Sequence, residues 1–142
     1  MYKQQAYSAY QQAQAQEYDQ AQLILMMYRG GINFLNKALE AGKTDKVQMG
    51  HYVSKAKKVL LELMLSLNTE EGGQMGEVLL NMYQRLFKKL NTAHMIDDRR
   101  HIAEVRDSLE ELEDVWRQIF TSDEYRKFKE DRDKFRLKYS GR

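Results

Sequence analysis

Histidine and carboxylate side chains that could bind a metal are the first candidates for chemistry in this 142-residue sequence. A carboxylate-bridged di-iron site in a helical bundle uses a Glu-x-x-His pair from each of two helices. The nearest match is Asp98-x-x-His101, which has no second copy. Neither His51 nor His94 has a carboxylate three residues before it. We therefore predict no metal and no cofactor, and keep a metal-binding ferritin-like bundle as the alternative from a different functional class.

Groups for nucleophilic or phosphate chemistry are also missing. The sequence has no cysteine, and no serine stands in a Gly-x-Ser-x-Gly nucleophile elbow. Gly72-Gly73 lacks the surrounding residues of a phosphate-binding loop. The sequence therefore predicts that this protein is not an enzyme.

The charged residues do not indicate a nucleic-acid or membrane partner. Arg85, Lys88 and Lys89 lie close together, but three neighbouring cations are a weak signal, and acidic residues are interleaved in the basic C-terminal segment. No apolar run approaches the roughly 20 residues that span a bilayer, and the N-terminus lacks the apolar core of a secretory signal. We expect no nucleic acid, no membrane insertion and a cytoplasmic location in the cytosol.

Helices are the elements that must position any functional surface, because the chain has no proline and no strand-like alternation. Capping residues and glycines predict helices from Asp19 to Gly42, from Asp45 to Leu67, from the Gly72-Gly73 turn to His94, from Asp97 or Asp98 onward, and from a capping box at Thr121-x-x-Glu124. The predicted fold is all-α: an antiparallel up-down four-helix bundle with an additional charged C-terminal helix and a flexible Gln/Tyr-rich N-terminal segment. The predicted boundaries are 1–18 for the N-terminal segment, 19–121 for the bundle and 122–142 for the charged helix.

The first two helices carry more apolar surface than one core face needs. Six consecutive apolar residues, Leu23 to Tyr28, open the first helix. Val59, Leu61, Met64 and Leu65 overfill the apolar stripe of the second. Several of the eight methionines lie in or beside these stripes, and methionine is common on surfaces that accept varied apolar ligands. The excess indicates either a tightly filled core or an exposed groove for an amphipathic peptide helix.

The order of these motifs resembles the flagellar export chaperone family FliS over roughly residues 7 to 120. The most specific block is residues 67–94, LNTEEGGQMGEVLLNMYQRLFKKLNTAH, which is similar to the family's leucine, short acidic turn, Gly-Gly and Leu-Tyr helix ending in two basic residues and leucine. LILMMYRGGINFLNKAL resembles the family's first helix, although Arg29 stands where an aspartate is usual. EVRDSLEELEDVWRQI resembles its closing helix, with the tryptophan at Trp116, and AYQQ resembles its N-terminal tyrosine motif.

The resemblance implies a chaperone that binds the disordered C-terminal segment of flagellin, prevents premature polymerisation and supports delivery to the flagellar type III secretion apparatus. The alternative within the family is an adaptor for another flagellar client or regulator. An export-gate component and flagellar regulators are further implied partners, and we expect the free chain to be a monomer or a weak dimer. The family's N-terminal flap corresponds here to Tyr7 and Tyr10. From the apolar excess we place the client-binding groove on Leu23, Ile24, Met27, Val53, Leu60 and Met64.

Overall fold

The structure, a computed structural model, describes residues 20–67 and 69–140, and helices account for most of both ranges. They are α1 (Gln20–Ala41), α2 (Lys46–Ser66), α3 (Thr69–Ile96), α4 (Arg99–Phe120) and α5 (Asp123–Ser140). No strand occurs within the two described ranges, and the all-α prediction is confirmed. The predicted flexible N-terminal segment lies outside the described residues.

The order of contacts along α1 and α2 shows that these helices are antiparallel. The Lys55 ammonium lies 5.7 Å from the centre of the Phe34 ring, and the Lys37 ammonium lies 5.8 Å from the centre of the Tyr52 ring. A higher residue number on α1 is therefore matched by a lower one on α2. A turn of four residues connects them, which is short enough to make the two helices neighbours.

α4 runs antiparallel to α1 on its other side. Trp116 meets Tyr28 near one end of the pair, and Arg99 donates to the carbonyl oxygen of Leu39 at 3.0 Å near the other. α3 contacts both α2 and α4, which closes the four helices into a ring. The up-down order predicted from the sequence is confirmed, and α5 extends from the end of α4 as the additional helix.

Aspartate and serine side chains cap the helices, with one difference from the prediction. Asp45 accepts from the backbone N–H of Gln48 at 3.1 Å at the start of α2, as expected. The restart before α5 is also present, but its cap is Ser122, whose hydroxyl accepts from the N–H of Tyr125 at 3.1 Å. Thr121 instead ends α4, because its hydroxyl donates to the carbonyl of Arg117 at 2.8 Å.

The predicted loop before α3 is shorter than expected. Helical residues begin at Thr69, and the break falls at Gly73, which has φ 55° and ψ −135°. A side chain would clash with the backbone in this conformation, so glycine is the residue that permits it. The glycine pair therefore marks a kink inside α3 rather than the loop before it.

The core lies between the four bundle helices, and its large side chains follow the predicted stripes. Gly31 brings α1 close to both neighbours: a Cβ atom there would lie 3.3 Å from Val59 and 3.5 Å from Leu109. Among the described residues, no helix is both long enough and apolar enough to cross a membrane. The largest fully buried side chains belong to Tyr28, Ile32, Leu35, Val53, Leu60, Leu63, Tyr83, Leu90, Ile102, Val105 and Leu109.

Candidate protein-binding surface

Large exposed apolar side chains are concentrated toward one end of the bundle. This end, which we call the apolar end, is where α1 and α3 begin and where α2 and α4 finish. The antiparallel order brings these four helix termini together, although they are far apart in sequence. Exposed apolar surface of this kind is a feature of protein-binding sites when it forms a patch. The exposed members are Met26, Leu61, Leu65, Met75, Val78, Val115 and Ile119, whereas Val47, Met95 and Ile96 lie at the opposite end.

A cleft of about 620 Å³ opens between α2 and α3, from the middle of the bundle toward the apolar end. Leu61, Met64 and Phe87 supply its apolar surface. Polar and basic side chains, among them Arg85 and Lys88, line the rest. An apolar floor with a cationic rim can accept one face of an amphipathic helix and neutralise acidic groups at that helix's edge. We call this feature the α2–α3 cleft.

A second cleft of about 600 Å³ lies between the same two helices near the opposite end. Its lining includes Lys46, His51 and His94. Gly50 makes room for His94, because a Cβ at this position would lie 2.7 Å from the His94 ring. Lys46 is already paired with Asp97. This cleft also offers somewhat less apolar surface to a partner than the α2–α3 cleft does.

The six predicted groove residues are not equally accessible. Val53 and Leu60 are fully buried in the core at 0% exposure, and Leu23 is also buried, at 8% exposure. Ile24, Met27 and Met64 are partly buried and pack against the core. Of the six, Met64 alone lines the α2–α3 cleft. The binding role of all six stays a prediction, and Tyr7 and Tyr10 lie outside the described residues.

The sequence indicates part of the α2–α3 cleft without showing that its residues come together. Leu61 overfills the α2 stripe, and Arg85 and Lys88 belong to a basic cluster. The sequence does not single out Phe87, because nothing in it distinguishes a phenyl ring on a groove wall from one in a core. The useful signal was the surplus apolar position beside the stripe, since the stripe itself points to the core.

A hydrogen-bonded cluster of three aromatic side chains joins α1, α3 and α4 inside the bundle. The hydroxyl groups of Tyr28 and Tyr83 are hydrogen-bonded to each other, and the Trp116 indole N–H donates to the Tyr28 hydroxyl at 3.0 Å. Both tyrosines are buried. Burial of a polar group is favourable only when its hydrogen bonds are made, so the cluster fixes the relative positions of three helices.

These two tyrosines predict a loss of stability at high pH. Burial and the neighbouring Tyr83 raise the pKa of Tyr28 well above its usual value, and burial also raises the pKa of Tyr83. Above pH ~10 the unfolded chain ionises both phenols while the folded chain keeps them protonated. The contribution of these tyrosines to the free energy of unfolding is therefore fully present below pH ~10. Above that pH the free energy of unfolding should fall by up to about 1.4 kcal/mol per pH unit for each such tyrosine.

Urea unfolding between pH 8 and 11.5 measures this slope. The control is Tyr28→Phe, which keeps the ring and removes one of the two ionising hydroxyls. Its unfolding free energy should fall less steeply with pH than that of the unchanged chain. Equal slopes for the two proteins would contradict the role assigned to Tyr28.

One buried carboxylate lies beside this cluster. Glu113 on α4 is ion-paired with Arg29 on α1 and with Arg117 one turn away, whose Nε lies 3.3 Å from Glu113 Oε1. Both arginines are about half exposed, whereas the Glu113 side chain is buried. The second carboxylate oxygen has no hydrogen-bond partner among the described residues. The two cations allow a carboxylate to remain at this depth and couple α1 to α4.

The candidate metal-binding pair has a structural role in the described part of the chain. Asp98 accepts from the backbone N–H of Arg100 at 2.9 Å and caps α4. Its hydrogen bonds with Arg100 lower the pKa of the Asp98 carboxyl. His101 lies 3.8 Å from Asp98 and 3.6 Å from Glu104. Within residues 20–67 and 69–140, no group of three or more His, Cys, Asp or Glu side chains could hold a metal ion.

Comparisons with known proteins agree on one family. A family profile described as "Flagellar protein FliS" matches residues 3–123. The chain is 29% identical over 119 residues to the flagellar secretion chaperone FliS of Campylobacter jejuni, an alignment that covers 83% of this chain and 93% of that protein.

Two more relatives carry the same description. The Bacillus subtilis protein is 29% identical over 120 residues, covering 82% of this chain and 87% of the relative. The Salmonella typhimurium protein is 32% identical over 102 residues, covering 69% of this chain and 74% of the relative. The family match ends at the first residue of α5, so most of that helix lies beyond it.

Proposed function

Because the chain belongs to the flagellar protein FliS family, we propose that it is a non-enzymatic export chaperone for flagellin. In this proposal it binds the disordered C-terminal segment of flagellin in the cytosol and prevents premature polymerisation. It then supports delivery of flagellin to the flagellar type III secretion apparatus, where an export-gate component is a further partner. The relatives named above are flagellar secretion chaperones, which supports the general role.

The observation that carries the proposal is the α2–α3 cleft, together with the exposed side chains of the apolar end. Leu61 and Met64 offer apolar surface, and Arg85 and Lys88 lie within reach of acidic groups on a bound helix. A disordered client loses conformational entropy when it folds on a surface. Burial of its apolar side chains in the cleft would offset that cost.

The family's flap extends the proposal to Tyr7 and Tyr10. α1 begins at Gln20 at the apolar end, so the segment before it joins the bundle beside the exposed apolar side chains. We assign these tyrosines to a cover that occupies apolar surface in the free chaperone and moves aside when the client binds. Tyrosine suits such a reversible contact, because its ring is apolar and its hydroxyl remains compatible with water.

Calorimetric titration of the full chain with the C-terminal segment of the cognate flagellin tests the proposal. We expect about one segment per chaperone and a negative heat-capacity change, because apolar surface is removed from water on binding. The control is a peptide of the same composition in scrambled order, which an indiscriminately adhesive surface would also bind. Absence of binding at micromolar concentrations, or equal affinity for the scrambled peptide, would contradict the proposal.

A further inference from the structure

The part of the α2–α3 cleft near the middle of the bundle is cationic. The Lys57 ammonium lies 5.4 Å from the centre of the Phe87 ring, and this contact shows which turns of α2 and α3 are level with each other. Arg85 and Lys88 are within two residues of Phe87 in sequence, and both line the cleft. Three cations from two helices therefore lie around one part of the cleft.

Apolar side chains supply the surface nearer to the apolar end. Leu61 and Met64 follow Lys57 by about one and two turns of α2, and both line the cleft. Leu65 and Val78 are exposed beyond them, near the apolar end. A helix lying along the cleft would therefore meet cations at one end of its path and apolar surface at the other.

The cations of the cleft have no carboxylate partner of their own. In the part of the chain that the structure describes, Arg85, Lys88 and Lys57 form no ion pair. Lys89, which follows Lys88 directly, is by contrast paired with Glu104 on α4. The side chains of Arg85 and Lys88 are exposed, so a carboxylate of a bound segment can reach them. Such a carboxylate would also reduce the repulsion between these neighbouring cations.

Two carboxylates of α2 and α3 stand apart from these cations. Glu77 lies on α3 eleven residues before Lys88, about three turns nearer to the apolar end. Glu62 follows Lys55 by seven residues, which places it on the flank of α2 that contacts α1. The cleft therefore attracts acidic groups near the middle of the bundle, whereas Glu77 would repel them at the apolar end.

From this charge distribution we propose that the α2–α3 cleft selects an acidic amphipathic helix. The apolar side chains of that helix would lie on Leu61 and Met64, and its carboxylate side chains would cluster at the end that meets Arg85, Lys88 and Lys57. The inference rests on the proposed function, because it takes the C-terminal segment of flagellin as the occupant. It adds which side chains of that segment the cations contact and where along the cleft they lie. Complementary charges of this kind fix the position of a partner and speed its association.

Calorimetric titration at two salt concentrations tests the contribution of charge. Salt screens exposed ion pairs, so the dissociation constant of the flagellin segment should rise about fivefold or more between about 50 and 500 mM NaCl. The control is the same segment with every Asp replaced by Asn and every Glu by Gln, which keeps its length and its apolar residues. At low salt this amide segment should bind about fivefold more weakly, and its affinity should change little with salt.

Charge reversal on the chaperone tests whether the carboxylates lie in the cleft. Arg85→Glu/Lys88→Glu should weaken binding of the unmodified segment about tenfold or more, because it places carboxylates against carboxylates. Binding of the amide segment should change much less, which a double-mutant comparison measures directly. The matched control, Lys127→Glu/Lys134→Glu, makes the same change in net charge at exposed positions of α5 and should leave the affinity within about twofold of that of the unchanged chain. Circular dichroism checks that each variant keeps its helical content.

The outcomes distinguish this inference from the proposed function. Absence of binding of the unmodified segment at both salt concentrations would overturn both. Equal affinities of the unmodified and amide segments would overturn this inference alone, because flagellin would then bind without using its carboxylates. Equal losses for the two segments on Arg85→Glu/Lys88→Glu, or equal losses in the α5 control, would overturn the placement of the carboxylates in the cleft.

Discussion

Leu61→Glu is expected to lower the affinity for the C-terminal segment of flagellin by about tenfold or more. Leu61 is 44% exposed on the wall of the α2–α3 cleft, so the free protein can accept the charge without losing its fold. In the complex, the carboxylate would be removed from water against an apolar client side chain, which is unfavourable. Calorimetric titration of the variant measures the change in affinity.

Met95→Glu is the matched control for this substitution. Met95 is a large apolar residue that is more exposed than Leu61, and it lies at the opposite end of the bundle. Its replacement should leave the affinity for flagellin within about twofold of that of the unchanged chain, because substitutions far from a binding site usually have little effect on affinity. If Leu61→Glu binds as tightly as the unchanged chain, the client does not use the α2–α3 cleft. A loss on Met26→Glu in the same experiment would then move the binding surface to α1.

Leu60→Ala is expected to reduce the free energy of unfolding by about 2–5 kcal/mol. Leu60 precedes Leu61 directly but points into the core, where it is completely buried. Shortening it removes apolar contacts and leaves a cavity that the packed helices cannot fill completely. Urea unfolding followed by circular dichroism measures the loss.

The same helix provides a control with the same chemical change. Leu65 is 79% exposed, so Leu65→Ala should alter the unfolding free energy by only about 0.5 kcal/mol. Leu60 was also placed in the client-binding groove from its sequence position. If Leu60→Ala left stability unchanged and weakened flagellin binding instead, the groove assignment would be supported and the core assignment contradicted.

Local signals along the chain account for most of the fold that the sequence predicted. The absence of proline, the caps at Asp45 and Asp98 and the regular apolar stripes define where helices begin and which faces pack. The two errors, the cap before α5 and the loop before α3, each displace a boundary by a few residues. The cap was misplaced because Thr121 and Ser122 are adjacent and each can cap a helix. The loop was misplaced because a glycine pair can mark a kink inside a helix as well as a loop before it.

The polar side chains at the centre of the bundle were not identified as a group from the sequence. Tyr28, Tyr83 and Trp116 are separated by more than thirty residues from one another. Their hydrogen bonds form only after α1, α3 and α4 pack together. Glu113 likewise resembles the solvated acidic residues around it in sequence, and the packing of α4 against α1 adds Arg29 to Arg117 as the second cation beside the buried carboxylate.

The sequence by itself determined that this chain forms amphipathic helices with more apolar surface than one core face requires, and it carried the motifs of the FliS family. Helix periodicity is a local property, so it can be read residue by residue. The tertiary structure alone decided which apolar residues became core and which became surface. Leu60 and Leu61 are adjacent and chemically identical, yet their positions on a helix differ by about 100°. The packing of the bundle helices around α2 buries Leu60 in the core and leaves Leu61 on the wall of a cleft.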